Sequence, residues 1–270
     1  MGGPGRYPRL LAAFARFALA GEMAFRANFL LRVLVELLWL GILLIFYGTV
    51  FKFTSAVEGW SGAQFLFFVG CYYSMEGVLE TFFLENCSEF AELVRSGNLD
   101  FFLLKPIDEQ FLITCRKIDW ATAPKVLLGG AVMTFALVRM GWTFDPVRVL
   151  GFGALFVCGT ALAYSFLLLL TSSSVWLMRN QSLMEMWWLV TTLMRYPREI
   201  YKGKWGAPIG VIFWFLIPLM LVTNVPAQVA VRESFNPWNL VLLVAATVVM
   251  LFVSRRVFFL ALRSYRSASS

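Results

Sequence analysis

FLLRVLVELLWLGILLIFYGTVF, residues 29–51, holds only two charged side chains, Arg32 and Glu36, in an otherwise almost wholly apolar run. Its length meets the ~20 residues a helix needs to cross a hydrocarbon core of ~30 Å. Five further apolar runs follow, at 63–84, 118–138, 148–171, 207–225 and 239–259. The pattern predicts an all-α membrane protein of six transmembrane helices. Composition agrees: 60% of the chain is hydrophobic and 14% charged, outside the range of a soluble domain.

Alternate gaps between the runs hold the basic residues. Seventeen fall in the lead before the first run, the gaps after the second and fourth, and the tail. Only Lys52, Arg139, Arg148 and Arg232 fall in the opposite gaps. The positive-inside rule then predicts cytoplasmic amino and carboxyl termini. The formal net charge of +7 belongs to these flanks, where it meets anionic headgroups of membrane lipid, so no nucleic-acid partner is expected.

Residues 1–28 read as an amphipathic interfacial segment, because Leu10, Phe14, Phe17, Gly21 and Phe25 recur at helical spacing beside Arg9 and Arg16. The basic lead is too long, and the first apolar run too extended, for a cleavable signal peptide. Residues 29–261 read as one six-helix permease-like domain and 262–270 as a cytoplasmic tail, with no room for a separate globular domain. The four cysteines match no metal or disulfide spacing and are expected to pack. The chain contains no histidine and no GxxxxGK[ST] loop, which excludes His-based catalysis and ATP hydrolysis by a phosphate loop of its own.

The longest informative gap, 85–111, reads ENCSEFAELVRSGNLDFFLLKPIDEQF. Asn86 with Glu89 has the spacing of a capping box, and Gly97 is placed to end the helix. Phe90, Leu93 and Val94 share one face opposite Glu89, Glu92 and Arg95. A loop with no core of its own leaves that face to a partner protein or the membrane interface.

Within this gap RSGNLDFFLLKPI, residues 95–107, resembles the G-x-LD-x-x-LLKP signature of type-2 ABC transporter permeases of a six-span bacterial subgroup. RYPREIY, residues 195–201, and IPLMLVTNVPAQ, residues 217–228, are similar to the same subgroup, and the order of spans matches over essentially the whole chain. The resemblance implies a coupling helix that docks in a separate cytosolic ATPase. Its residues here would be Glu89, Phe90, Glu92, Leu93 and Arg95, with Gly97, Leu99, Asp100, Lys105 and Pro106 shaping the return to the bilayer. It implies a second cytosolic contact at Tyr196, Pro197, Arg198 and Glu199; the Trp and Lys content of that gap reads equally as membrane anchoring, with Trp187, Trp188 and Trp205 at the interface. ATP and Mg would sit on the partner ATPase, with no cofactor on this chain. A complete unit would need a second permease subunit, identical or related, in a bacterial plasma membrane.

Charges inside the apolar runs form a second constellation. Arg32 and Glu36, and Glu76 and Glu80, are each four apart and so share a helix face; Lys125 joins them at similar depth. Each costs about 2.5 kcal/mol or more at mid-bilayer unless paired or wetted. A paired cluster at the inner mouth of a path is expected, with Arg32 bound to Glu36 or to a glutamate of the second run. The alternative is snorkelling of Arg32 and Lys125 to headgroups. Pro218, inside the fifth run, and Pro226, at its outer end, bracket Asn224 as an outer-gate candidate, or serve packing alone.

The resulting expectation is the permease subunit of an ATP-driven exporter. Its rivals are an importer subunit, a non-transporting membrane scaffold, and a lipid-directed membrane enzyme using Glu76 and Glu80 as acid and base. A hydrophobic or amphiphilic cargo is consistent with the apolar spans.

Overall fold

The computed structural model describes residues 5–177, 180–202, 218–232 and 236–265. It is almost entirely helical. α1 (Arg6–Ala24) and α2 (Arg26–Phe53) lead to a two-residue-per-strand hairpin, β1 (Ala56–Val57) and β2 (Trp60–Ser61), paired antiparallel. α3 (Gly62–Leu79) passes through a π-helical turn (Glu80–Leu84) into α4 (Glu85–Arg95) without a break. Short helices α5 (Asp100–Leu103) and α6 (Glu109–Cys115) follow, then α7 (Pro124–Arg139) and α8 (Pro146–Leu177). α9 (Asn180–Met194), a 3₁₀ turn (Arg198–Lys202), α10 (Met220–Val231) and α11 (Pro237–Ser264) complete it.

The bundle has two distinct ends. At one, which we call the charged end, α1, α4 to α6 and the last turns of α11 meet. Arg255 on α11 pairs with Asp108 at 2.7 Å, and Trp120 donates Nε1–H to the Ala15 carbonyl of α1. At the other, the hairpin end, Arg232 donates to the Gly59 carbonyl at 3.1 Å and Trp142 to that of Ala230 at 3.1 Å. α2, α3, α7, α8, α9 and α11 each run between the two ends, and α10 occupies the hairpin half only.

α2, α8 and α11 are long and apolar enough to cross a membrane by length and composition. α3 carries Gln64 and Glu76 within 18 residues but is buried along most of its length. Its seat against α7 depends on glycine. A Cβ at Gly70 would come within 2.8 Å of the Gly129 carbonyl, and the two backbones approach as small residues permit in membrane bundles. α10 and α8 meet similarly. Pro226 has no N–H to give the Val222 carbonyl, and that oxygen faces Gly159 of α8, where a Cβ would stand 2.5 Å away.

Several sequence expectations change here. The run at 118–138 becomes helical only from Pro124, because Asp119 turns the chain by accepting from the Ala121 N–H at 3.0 Å and Pro124 occupies the first helical turn. Of the run at 207–225, residues 207–217 lie outside the described residues, as do Gly203, Lys204 and Trp205. Its remainder belongs to a helix reaching Val231, so Pro226 is interior to α10 and Pro218 lies in the turn before it. The helix that runs back from the charged end after α8 is α9. Trp187 on α9 is not interfacial; it is buried and stacks on Phe166. The capping box at Asn86 is also absent, since α4 continues α3. Asn86 instead bridges the charged end, donating to the Phe82 and Lys117 carbonyls at 3.0 and 2.8 Å and accepting from the Lys117 N–H at 2.9 Å.

Candidate functional site

α2 stands apart from the bundle, touching it at few points, and leaves a groove of about 850 Å³ between itself and α9 with α3 as its floor. α2 contributes a stripe at helical spacing, Arg32, Glu36, Trp39, Leu43 and Phe46; α3 contributes Tyr72, Tyr73 and Glu76, and the π-helical turn after it Glu80. Met184 and Trp188 of α9, with Arg195 and Tyr196 just beyond its end, form the α9 wall.

Lys125, at the start of α7, is the hub. Its Nζ lies 2.7 Å from Glu80, 3.3 Å from Glu36 and 3.6 Å from Glu76, so one ammonium serves three carboxylates on two helices. Two phenols complete the shell: Tyr72 donates to Glu76 at 2.7 Å, and Tyr73 donates to the carbonyl and the carboxylate of Glu36 at 2.8 and 3.1 Å. Lys125 also faces the Tyr73 ring at 5.5 Å, and Arg195 the Tyr72 ring at 5.6 Å. One positive charge among three formal negatives leaves the hub electronegative, which the neutral donors and nearby Arg195 partly offset. Arg32 does not join it. It pairs with Asp119, whose backbone N–H is fixed by the Thr81 carbonyl at 2.9 Å. The expected Arg32–Glu36 pair is thus replaced, because Lys125 already holds Glu36 and Asp119 presents its carboxylate toward the start of α2.

The predicted docking face of α4 is occupied by the chain itself. Phe90 is fully buried against Phe258 and Ala261 of α11 and Leu168 and Val175 of α8, with Leu93 and Val94 packed alongside. Burying a phenylalanine contributes about 1.5–3 kcal/mol, so this face is not free for a partner. Glu89 is held by Arg116 at 2.5 Å and by Lys117, and Glu92 by Arg95 at 2.8 Å. Gly97 takes φ 73°, the left-handed conformation that ends α4, and Leu99 tucks under it with its N–H on the Leu93 carbonyl at 3.1 Å. Beyond this turn, Phe101 and Leu104 are 67% and 81% exposed, flanked by exposed Lys105 and Pro106, with Asp100 at the start of α5. Asp108 closes the loop: burial alone would raise its carboxyl, but Arg255 and the Phe111 N–H hold it below the ordinary 3.8.

Tyr196, Pro197, Arg198 and Glu199 lie at the hairpin end, opposite α4. The two cytosolic contacts expected from the sequence, at α4 and at 196–199, thus lie at opposite ends of the bundle. Glu199 is buried and accepts from Trp60 Nε1 at 3.1 Å, Gln228 Nε2 at 3.0 Å and Asn224 Nδ2 at 3.4 Å. Asn224, singled out as a gate residue, and Glu199, singled out as a contact, are therefore parts of one buried polar knot tying the hairpin to α10.

Sequence reasoning missed Asp119, Tyr72, Tyr73 and Arg195. Tyr72 precedes Glu76 by one helical turn, a spacing that signals a shared face; nothing local marks Arg195 as a groove residue.

No curated protein and no solved structure matches the chain. The family model for ABC-2 family transporter proteins matches residues 37–269, which include α3 to α11 and all the groove residues but Arg32, Val35 and Glu36. With most of its length matched, this helical membrane chain belongs to the ABC-2 family of transporter proteins, the membrane permeases of ABC transporters.

Proposed function

We propose that the chain is one permease subunit of an ATP-driven exporter in a bacterial plasma membrane, working with a second permease subunit and two cytosolic ATPases. The groove between α2 and α9 supplies half of the pathway, and the partner subunit the other half. The observation that carries this reading is the position of the Lys125 hub on the floor of that groove. Ionisable groups are kept within a membrane where they line an aqueous or substrate path, since elsewhere their burial is uncompensated.

The charged end faces the cytosol in this reading, with both termini. The charge bias survives the relocation of α9: even if Arg195, Arg198, Lys202 and Lys204 are all transferred to the hairpin side, thirteen basic residues remain at the charged end against eight. Among the described residues, the six helices assigned to the crossings are α2, α3, α7, α8, α9 and α11. Export is favoured over import because the hairpin-end connections at 54–61 and 140–145 offer little for an external binding protein.

ATPase docking is assigned to the surface outside the buried face of α4, with Phe101 and Leu104 as apolar anchors and Glu92, Arg95 and Lys105 around them. ATP binding would close the ATPases, push this loop, and act through the unbroken α3–α4 rod on the hub beneath α2. A pull-down tests it. Phe101→Ala with Leu104→Ala should leave the chain inserted and thermally stable but release the ATPase. Phe90→Ala should instead destabilise the chain by about 3–5 kcal/mol. Undiminished ATPase recovery with the first pair would reject the docking surface.

A further inference from the structure

α2 is flanked by a second groove, on its α7 side. This one encloses about 640 Å³ and is lined mostly by apolar groups, among them Leu40, Leu44 and Phe51 on α2, and Leu128, Val132 and Phe135 on α7. At its hairpin-end mouth stands Arg139, which follows Phe135 by one helical turn on the same face. Arg139 also lines a separate polar bowl of about 900 Å³ at the hairpin end, together with Arg148, Arg232, Gln64 and Trp142. Among the described residues, three guanidinium groups thus meet one carboxylate in the bowl, Asp145, which is paired to Arg148 at 3.4 Å. Arg232 is fixed by the Gly59 carbonyl and lies 4.3 Å over the Trp60 ring. Arg139 has no carboxylate partner among the described residues.

We propose that these two cavities form a single binding site for an anionic phospholipid of the leaflet at the hairpin end. One acyl chain fills the apolar groove and the phosphate sits at Arg139 in the bowl. Leu40 to Thr54 spans about 21 Å of helix axis, enough to line one leaflet of a core ~30 Å thick and reach its headgroup level. The charge of the bowl selects the anion, and a guanidinium fork suits a phosphate oxygen pair. The ligand would fill the gap that leaves α2 loosely held, distinct from the α9-side groove assigned to cargo.

Native mass spectrometry of the full-length chain, titrated with phosphatidylglycerol or with phosphatidylcholine of identical chains, tests the assignment. The wild type should retain one phosphatidylglycerol in preference to phosphatidylcholine. Arg139→Gln should weaken that retention about fivefold, the effect of about 1 kcal/mol for one basic residue at a membrane surface. Gly48→Leu should abolish retention by plugging the groove; a Cβ there meets nothing within 4 Å, so the fold should tolerate it. Ala131→Leu plugs the opposite wall and guards against a folding defect in the first variant. Glycerophosphoglycerol, the headgroup without chains, should not compete. Equal retention of both lipids, retention unaffected by all three substitutions, or full competition by the headgroup alone would each overturn the proposal. So would a Phe135→Cys disulfide between two copies in native membranes, which would assign the groove to a subunit interface.

Discussion

Lys125 faces three carboxylates, and the removal of different members has unequal consequences. Lys125→Met strands Glu36, Glu76 and Glu80 without a cation, and breaking a buried pair in this way costs about 3–5 kcal/mol. Glu76→Gln leaves Lys125 with Glu36 and Glu80, retains an acceptor for Tyr72 and strands no charge, so it should cost less than Lys125→Met. Thermal unfolding of the purified chain should show Lys125→Met clearly below both Glu76→Gln and wild type; equal midpoints for the two variants would mean that the charges are not a coupled unit. At this scale the sequence is informative about which residues are unusual and silent about their partners. Arg32, Glu36, Glu76, Glu80 and Lys125 are legible because an ion in an apolar run has a cost that needs compensation. Asp119 is not, because its carboxylate reaches Arg32 only when residues 116–123 turn rather than continue a helix. Tyr72 and Tyr73 are ordinary residues of an apolar helix until their hydroxyls are placed.

Helices are legible from their apolar length, but what covers them is not. The amphipathic pattern of α4 correctly marks Phe90, Leu93 and Val94 as one face. Its cover comes from Leu168 and Val175 of α8 and from α11, whose 28 residues extend about 42 Å and so overshoot a ~30 Å core, bringing Phe258 and Ala261 over that face. α9 is obscured for the opposite reason: its apolar stretch Leu183–Met194 is shorter than the ~20 residues of a full span, and the basic residues after it read as a cytoplasmic flank. Close helix contacts give a sharper test of packing. Gly159→Ala places a methyl group 2.5 Å from the Val222 carbonyl and 3.1 Å from Met75 Cε, and overpacking of this kind costs about 1–3 kcal/mol. Gly153→Ala, on the same helix with nothing within 4 Å, should be neutral or stabilising by about 0.5–1 kcal/mol. The order of the two melting midpoints checks the α8–α10 contact; a tolerated Gly159→Ala would mean that the two backbones stand further apart.

Across the whole molecule, orientation and crossing number follow from two facts that can be tested together. Glu58, in the hairpin, and Ile200, in the 3₁₀ turn, are brought to one end by Glu199, whose carboxylate accepts from Trp60. Asn98 and Lys105 lie at the other end, on the surface assigned to ATPase docking. The charge bias predicts a cytosolic position for that second end. In a background with Cys71, Cys87, Cys115 and Cys158 replaced, a membrane-impermeant thiol reagent applied outside should label Glu58→Cys and Ile200→Cys, and should reach Asn98→Cys only after the membrane is opened. Both substituted hairpin-end positions are exposed, so each label reports sidedness rather than burial. Outside labelling at 98 without permeabilisation would reverse the orientation. Labelling at 58 with protection at 200 would mean that α9 fails to cross, because a segment bound to Trp60 and Gln228 has to share their side. That outcome would dissolve the Glu199 knot and with it the α9 wall of the groove. Labelling at both supports a pathway bounded by two crossing helices, α2 and α9, which the proposed second subunit would close from outside the bundle.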